Sequence, residues 1–305
     1  MPTPTHGTPE PTAPTPSPSA DSEDPKKPKK PKIKIPVFPT GNARPTLPTS
    51  QTTAERALSF RVGSFNVLGS SHTINGARGM RSGPERAADA GRIIADRKLD
   101  VVGLQELQRN QVAPLLDTAG EFGIYPGLDG PRLGSQNSIV WRKSKWKLVA
   151  GVTNPIVYFR GRPMPMPVVL LRDRATGVSV LFMNFHNPAT TNNHGDNAKW
   201  RTVATRQQIS LVRQALAAGH HVVVTGDMNA KAGYYCQVVA AVPLRSSTGT
   251  HGPGPCQPPQ PARIDWIMGG PTVQFGRHVT DESEFVRRTT DHPLMYVQAR
   301  VKSRP

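Results

Sequence analysis

The sequence predicts an α/β (α+β) fold, in which a sandwich of mixed β-sheets is flanked by helices within one domain. Two observations support this prediction. Apolar runs of strand length alternate with amphipathic, helix-length segments in the first half of residues 59–305, and the middle of this region contains hairpin patterns. Alternating strands and helices together with hairpins are typical of a mixed sheet whose helices lie on the outside.

The first predicted elements supply the alternation. Residues 58–68 (LSFRVGSFNVL) and 99–107 (LDVVGLQEL) are apolar runs of strand length. Between them, residues 84–98 have apolar side chains at helical spacing, and Pro84 is suited to the first turn of a helix. Residues 137–149 (NSIVWRKSKWKLV) predict two short strands.

The later elements include the hairpin. Residues 168–186 predict two strands joined by a turn that contains Ala-Thr-Gly. Residues 197–218 predict a basic amphipathic helix, and residues 220–230 predict a strand that ends in a polar loop. Two further strands are predicted at residues 262–270 and 292–301.

The N-terminal segment, residues 1–58, differs in composition from the rest of the chain. It is rich in Pro and Thr, then in Pro and Lys, and has few large apolar side chains. Such a segment buries too little apolar area to offset the entropy of ordering, so we expect disorder over 1–58 and a catalytic domain over 59–305. Leaders of this kind often precede secreted domains. We therefore expect a secreted or cell-surface protein whose start lies upstream, although no signal peptide is visible; a cytoplasmic location is the alternative.

The charge and the hydropathy of the chain limit the classes of partner that it is expected to bind. The formal net charge is +17, and residues 59–305 hold 30 Lys and Arg against 16 Asp and Glu. A basic domain favours polyanions, with nucleic acid ahead of anionic membranes and cell-wall polymers. No run of 18 or more apolar residues occurs, so no transmembrane segment is predicted.

Four acidic residues stand at the ends of predicted strands. Glu106 follows VVGLQ, Asp227 closes VVVTGD, Asp265 opens DWIM and Asp291 precedes HPLMYV. Carboxylates placed just beyond buried runs can converge at one edge of a sheet, and Mg²⁺ or Ca²⁺ prefers such oxygen ligands. The pattern predicts a shared metal-dependent site better than it predicts four unrelated loop acids.

The complete set of polar residues has a specific order. It consists of Asn66 in SFNVL, Glu106, His186 in MNFHNP, Asp227 and Asn229 in GDMNA, Asp265, and Asp291 with His292 in TTDHPL. Over about residues 59–302 this order resembles the endonuclease/exonuclease/phosphatase superfamily. Short pieces such as GD-x-N occur by chance, whereas the whole ordered set is specific. The resemblance implies a DNase I-like four-layer sandwich, with two packed mixed sheets between helices and the site at one edge.

The resemblance also implies a metal site. Glu106 is the expected principal ligand, with Asn66 close by and Asp291 sharing the contact. Mg²⁺ is the expected ion, with Ca²⁺ or Mn²⁺ as alternatives. A phosphodiester is an anion that repels nucleophiles, so a bound cation lowers the barrier by neutralising its charge.

The remaining matching residues are implied to be catalytic. Asp227 orients or deprotonates the attacking water, and Asn229 holds that assembly. His186 and His292 donate hydrogen bonds to phosphate oxygens, and one of them protonates the leaving group. Asp265 pairs with a histidine and fixes its tautomer.

One region departs from the family pattern. The best-known nucleases have a tyrosine and a carboxylate before the strand that corresponds to NSIVWR, and RLGSQNSIVWR has neither. His186 therefore has no identifiable acidic partner, and Asn137 is expected to supply polar contacts to the substrate. Arg201, in the basic helix, is expected to contact a phosphate backbone.

The two cysteines, Cys236 and Cys256, lie between Asp227 and Asp265. By themselves they leave one disulfide or two free thiols open. Some secreted members of the family brace this loop with a disulfide, so the resemblance implies a Cys236–Cys256 bridge and an oxidising compartment.

The expected function is metal-dependent phosphodiester hydrolysis by a monomer, with nucleic acid, DNA foremost, as substrate. The alternative within the superfamily is a phosphatase or phospholipase acting on inositol phosphates or sphingomyelin-like lipids, for which an apolar membrane-contact cluster is not evident. A third possibility, from a different class, is a non-catalytic nucleic-acid-binding module. The nearly intact residue set favours an enzyme.

Overall fold

The structure is a computed structural model that describes residues 57–130, 133–250 and 254–301. The segment expected to be disordered, residues 1–58, lies outside the described residues except for its last two. Leu58 already opens the first strand, and Leu58, Phe60 and Val62 are buried in alternation with more exposed neighbours. The first described strand thus shows the two-residue period of burial that its sequence predicts.

Six strands, numbered in chain order, form the first sheet in the spatial order β11-β12-β1-β2-β4-β3. Their bounds are β1 Leu58–Asn66, β2 Val101–Gln105, β3 Phe122–Tyr125, β4 Asn137–Arg142, β11 Val273–Asp281 and β12 Leu294–Val301. β1 and β2 pair in parallel, and the other neighbours pair antiparallel.

The second sheet has the order β5-β6-β7-β8-β10-β9. Its strands are β5 Trp146–Val157, β6 Pro163–Asp173, β7 Ser179–His186, β8 His221–Asp227, β9 Arg245–Ser246 and β10 Asp265–Gly269. Only β7 and β8 pair in parallel among these strands. Both sheets are therefore mixed, as the sequence predicts.

Five α-helices connect the described strands. They are α1 Gly83–Asp96, α2 Arg109–Ala119, α3 Ala198–Ala217, α4 Ala232–Val239 and α5 Glu284–Arg287. α1 and α3 confirm the two helices predicted from periodicity. The sequence pattern gives no prediction of α2, because Pro114 lies inside it and proline disfavours a helix interior. Burial of Val112 and Leu115 against the α1 side of the first sheet stabilises this helix. No described helix combines the length and the apolarity that crossing a membrane requires.

Each parallel pair lies near the centre of its sheet and is joined by a helical crossover. α1 lies between β1 and β2 in the chain, and α3 lies between β7 and β8. The register pairs Asn66 with Gln105 and His186 with Asp227, so both pairs of strands end level with each other. Because parallel strands end on the same side of a sheet, the residues at these ends collect at one edge.

The apolar core consists of three layers. Between the sheets, the rings of Phe60, Trp146 and Phe182 contact one another edge to face, with centroids 5.4–5.6 Å apart. Such aromatic pairs stabilise a core beyond the effect of area burial alone. A second layer lies between the first sheet and helices α1 and α2, and a third lies between the second sheet and helices α3 and α4. The resulting order of helices, sheet, sheet and helices confirms the predicted four-layer sandwich.

The predicted disulfide is present. Cys236 in α4 is bonded to Cys256, and their Cα atoms are 5.8 Å apart. Both cysteines pack against the core between the second sheet and its helices. The bridge therefore anchors the segment that precedes β10, and β10 begins with Asp265.

Candidate active site

The polar residues predicted from the sequence meet at the edge where the parallel strands of both sheets end. Asn66 ends β1, Glu106 follows β2, His186 ends β7, Asp227 ends β8, Asp265 opens β10 and His292 precedes β12. Most of these side chains are buried, whereas Glu106 and His292 are partly exposed. The edge is therefore a polar cluster set into an apolar sandwich, with an opening to solvent.

Unusual backbone conformations accompany this cluster. Leu68, Glu106 and Asn229 have positive φ angles of 52°, 61° and 47°. Residues with a Cβ rarely adopt this region, at a cost of about 1–3 kcal/mol each, and surrounding contacts must hold them there. These residues follow β1, β2 and β8, so the left-handed turns redirect the chain as it leaves the strands that supply the site.

Asn66 links the two halves of the cluster. Its Nδ2 donates to Glu106 Oε1 at 2.9 Å and to Asp227 Oδ2 at 3.2 Å. Its Oδ1 accepts from the Leu68 backbone N–H at 3.0 Å, and its carbonyl accepts from Thr290 Oγ1 at 2.8 Å. These bonds fix the amide orientation, so that one side chain bridges a carboxylate from each sheet.

Glu106 is held as a carboxylate. Its second oxygen accepts from the Gly69 backbone N–H at 3.1 Å and lies 3.2 Å from His72 Nε2. Burial opposes ionisation, but the hydrogen bond of His72, the charge of His186 and the donors of Asn66 and Gly69 hold the pKa of Glu106 well below its ordinary value.

The donor set at Glu106 fits a hard divalent cation. The side chain is ionised and 21% exposed, so an ion can reach it from solvent. Carboxylate and amide oxygens are the ligands that Mg²⁺, Ca²⁺ and Mn²⁺ prefer. Glu106 is therefore suited to the metal role that the sequence predicts, whereas Asn66 turns its amide nitrogen towards Glu106 and its Oδ1 towards the Leu68 backbone N–H. Both metal roles stay predictions.

Asp227 is the most enclosed carboxylate of the cluster. Its Oδ1 accepts from the Asn229 backbone N–H at 2.9 Å, and its Oδ2 lies 3.6 Å from Nε2 of both His186 and His292. Burial and the negative charge of Asp265 raise the pKa of Asp227 to about 6, while the two histidines oppose this rise. A carboxylate that titrates near neutral pH is suited to accept a proton from water.

Asn229 supports this carboxylate from the loop that follows β8. Its Nδ2 donates to the Asn187 carbonyl at 2.9 Å, which ties the loop after β8 to the loop after β7. The Asn229 backbone N–H thus contacts Asp227 from a loop that is held at a second point, and its predicted role in positioning Asp227 stays a prediction.

Asp265 pairs with His292. The histidine Nδ1 lies 3.0 and 3.2 Å from the two oxygens of Asp265. Burial disfavours protonation, but the hydrogen bond and charge of Asp265, with the charges of Asp227 and Asp291, raise the pKa of His292 to about 10. The imidazolium donates from Nδ1 to Asp265, and its Nε2 lies 3.6 Å from Asp227 Oδ2.

Asp227, Asp265 and His292 also form a possible metal-binding group, because they offer ligand atoms within 4.8 Å of one another. A histidine that binds a metal must be neutral. The pairing of Nδ1 with Asp265 leaves Nε2 of His292, 3.6 Å from Asp227 Oδ2, as the ring atom that would bind such an ion or donate to an anion.

His186 is buried, and its Nε2 lies 3.6 Å from Asp227 Oδ2. The hydroxyl of Tyr158, just after β5, is 3.4 Å from both of its ring nitrogens, and the two rings meet at 65° with centroids 5.3 Å apart. Apart from Asp227, no described carboxylate lies within 4.0 Å of His186. Tyr158 thus contacts this histidine where the sequence offers no acidic partner.

Asp291 forms an ion pair with Arg78. Its Oδ2 lies 2.5 Å from Arg78 Nη1, and both side chains are about half exposed. No hydrogen bond or ion pair joins Asp291 to Glu106 or Asn66 in the described part of the chain. Its share in metal binding stays a prediction.

The two predicted substrate contacts differ in setting. Asn137 opens β4 opposite Gln105 and is buried, and its Oδ1 has no hydrogen-bond partner among the described residues. Arg201 donates to the Pro188 carbonyl at 3.0 Å and to Thr190 Oγ1 at 3.1 Å. Arg201 thus braces the loop after β7. The predicted contacts of Asn137 and Arg201 with substrate stay predictions.

Two residues at the cluster are absent from the sequence-based prediction. His72 reaches Glu106 from the loop after β1, and Tyr158 reaches His186 from the turn between β5 and β6. Both contacts depend on how long loops fold over the edge. No strand-end pattern or short motif marks these positions.

A sequence model of the Endonuclease/Exonuclease/phosphatase family matches residues 63–292. The match begins within β1 and ends at His292, so it spans the whole polar cluster. No curated protein matches the chain significantly.

Solved structures of similar fold come from different organisms. An endonuclease/exonuclease/phosphatase from Bacteroides vulgatus aligns with a TM-score of 0.64 and 18% identity, covering 80% of this chain and 99% of that chain. A mannosyl-6-phosphatase from Bacteroides thetaiotaomicron VPI-5482 gives 0.57 and 17%, with 79% and 99% covered. D. rerio TDP2 complexed with single-strand DNA product gives 0.55 and 18%, with 79% and 98% covered. At these identities the likeness establishes the fold, not the substrate.

Proposed function

The chain belongs to the endonuclease/exonuclease/phosphatase family of phosphoester hydrolases, and from this premise we propose that it is a metal-dependent phosphodiesterase that cleaves nucleic acid, DNA foremost. The observation that carries the proposal is the position of Asp227, a buried carboxylate with Nε2 of His186 and of His292 each 3.6 Å from the same oxygen. This arrangement places a base between two groups that can donate to an anion.

The residues divide the reaction between them. Asp227 accepts the proton of the attacking water, and Asn229 holds its carboxylate in place. His292, protonated through Asp265, donates to a non-bridging phosphate oxygen, and His186 donates on the other side of Asp227. Donors that are fixed before the reaction stabilise developing negative charge without reorganisation.

A divalent ion held by Glu106, with Asn66 and Asp291 as further candidate ligands, would supply positive charge to the phosphate and its leaving oxygen. Glu106 is already ionised and oriented by its hydrogen bonds in the described structure. An ion would bind at the remaining lone pairs of the two Glu106 oxygens or in place of His72.

Nucleic acid is favoured as the substrate by charge. The basic excess of residues 59–305 provides a field that attracts a polyanion. The D. rerio neighbour, solved with a single-strand DNA product, is compatible with this choice. A monomer is the expected state, and the Cys236–Cys256 disulfide supports an extracellular location.

Incubation of the purified protein with plasmid DNA and with RNA, in Mg²⁺ and in EDTA, tests the proposal. Cleavage that requires Mg²⁺ and is lost in Asp227→Asn is expected. Asp117→Asn, the same chemical change at an exposed position of α2, is the matched control and should retain activity.

Other substrates decide between the alternatives in the same assay. Inositol phosphates and sphingomyelin test the phosphatase and phospholipase alternatives. Release of phosphate or phosphocholine without cleavage of DNA or RNA would refute the nuclease assignment. Binding of DNA without turnover in Mg²⁺, Ca²⁺ or Mn²⁺ would indicate a binding module.

A further inference from the structure

A cleft lined by arginines opens beside His292. It has a volume of about 570 Å³, within the roughly 300–1,000 Å³ typical of ligand sites. Arg78, Arg263 and Arg287 line it together with Glu282 and Asp291. His292 is both a wall of this cleft and a member of the candidate active site, so the two are continuous.

The arginines come from three separate parts of the chain. Arg78 lies in the loop after β1, Arg263 lies two residues before β10, and Arg287 ends α5. Each of these three segments neighbours a residue of the active site, either in the sequence or in space. Three guanidinium groups from distant segments therefore converge on one side of the reactive edge.

Arg263 and Arg287 both contact Glu282, the first through its carboxylate and the second through its backbone carbonyl. Arg263 Nη2 lies 2.7 Å from Glu282 Oε1, and the two side chains are 34% and 48% exposed. Arg287 Nη1 donates to the Glu282 carbonyl at 2.5 Å. The exposed ion pair of Arg263 contributes little to stability, so an anionic ligand can replace the Glu282 carboxylate there at low cost, while Arg287 stays bonded to the backbone carbonyl.

Arg263 also has an unmet hydrogen-bonding need. Its Nε is buried and has no hydrogen-bond partner among the described residues. A buried N–H without an acceptor is unfavourable, and an oxygen-rich anion in the cleft would supply one. The planar guanidinium suits two oxygens of a phosphate at once, which an ammonium group does not.

We propose that this arginine cleft binds a second phosphodiester of the substrate, next to the one held between His186 and His292. The inference rests on the proposed function and deepens it: the substrate is a polynucleotide chain, and Arg263 with Arg287 recognises the neighbouring backbone phosphate. An isolated phosphoester, such as a sugar phosphate, leaves the cleft empty.

Steady-state kinetics on two substrates test the proposal. A single-stranded oligodeoxynucleotide contains the neighbouring phosphates, and bis(p-nitrophenyl) phosphate contains only the scissile one. Arg263→Gln and Arg287→Gln are the variants. The control is Arg172→Gln, which removes the same charge from an exposed position on β6, opposite Ser179 at the start of β7.

Each cleft variant should raise KM for the oligonucleotide about tenfold, with kcat within a factor of two. Its kcat/KM for bis(p-nitrophenyl) phosphate should stay within a factor of two of the unaltered protein. The control should resemble the unaltered protein on both substrates. Each lost phosphate contact should also reduce the slope of log Kd against log salt for oligonucleotide binding by roughly one.

Two results would overturn the inference. One is an equal loss on both substrates, which would indicate damage to the catalytic residues. The other is no loss beyond that of Arg172→Gln. If the unaltered protein cleaves neither substrate, the proposed function fails. Fluorescence anisotropy with the labelled oligonucleotide still tests whether the cleft binds a phosphate. Unchanged Kd and salt slope in both cleft variants would then refute the binding of a second phosphate by the cleft.

Discussion

Asp227→Asn is expected to remove most of the hydrolytic activity. The free energy of unfolding of this variant, relative to that of the unaltered protein, is expected to be higher at neutral pH than at acid pH. The activity loss follows from the role of Asp227 as the base, because general acid–base assistance contributes ~10²–10⁴-fold. The change in stability follows from burial. The carboxyl group is 1% exposed, and an ionised carboxylate there is unfavourable in spite of its histidine neighbours.

The size of the effect follows from proton linkage. Burial and the charge of Asp265 raise the pKa of Asp227 from 3.8 to about 6. Below about pH 3.8 the group is protonated in both states and affects stability little. Between about pH 3.8 and 6 only the unfolded state ionises, so stability falls as pH rises. Above this window the penalty is constant at about 3 kcal/mol, since each tenfold change in proton affinity corresponds to about 1.4 kcal/mol.

Urea unfolding of both proteins at a series of pH values from about 3 to 8 measures this effect. The stability of Asp227→Asn minus that of the unaltered protein should increase by about 3 kcal/mol across the series. The change with pH is the quantity of interest, because the new amide also alters the hydrogen bond from Asn66, which shifts the difference equally at all pH values.

Asp173→Asn is the matched control, since it makes the same change at a buried carboxylate with the opposite shift. Burial opposes ionisation there, but the Thr176 backbone and hydroxyl donors and Lys145 lower the pKa of Asp173. This variant should lose stability at pH 7 and approach the unaltered protein as pH falls below 4. A pH-independent difference for Asp227→Asn would refute the buried-base reasoning, and full activity in that variant would refute the catalytic role.

Three further outcomes are expected. Tyr158→Phe should lower kcat roughly two- to tenfold with KM unchanged, because it removes one hydrogen bond of about 0.5–1.5 kcal/mol from His186. An unchanged kcat would indicate that Tyr158 only packs against the histidine. Replacing both Cys236 and Cys256 by Ala should reduce the free energy of unfolding by about 3 kcal/mol, from the loop-closure entropy for a separation of 20 residues, and equal urea midpoints would contradict this. Glu106→Gln should raise the Mg²⁺ concentration needed for half-maximal activity at least tenfold, and an unchanged Mg²⁺ requirement would place the ion elsewhere.

The sequence predicts most of the fold because its strands and helices differ in period. The buried runs that became β1, β2 and β8 are continuous in sequence, and their ends carry the polar residues directly. Strand direction within each sheet then follows from the helical crossovers, so the common edge of His186 and Asp227 is implicit in local pattern. The meeting of Asn66 with Asp227 depends in addition on how the two sheets pack. The helix α2 escapes this reasoning, because packing on a neighbouring helix outweighs the effect of an internal proline.

The local sequence pattern determined which residue types stand at the strand ends. Those residue types in turn indicated phosphoester chemistry. Only the tertiary structure decided the partners of those residues. Asp265 pairs with His292 across 27 positions, and the hydroxyl of Tyr158 contacts His186 across 28. Arg263 and Arg287 share a cleft with His292. The physical reason is that side-chain distances and burial depend on how loops close over the sheet edge, and these set the pKa of Asp227 and the charge beside it.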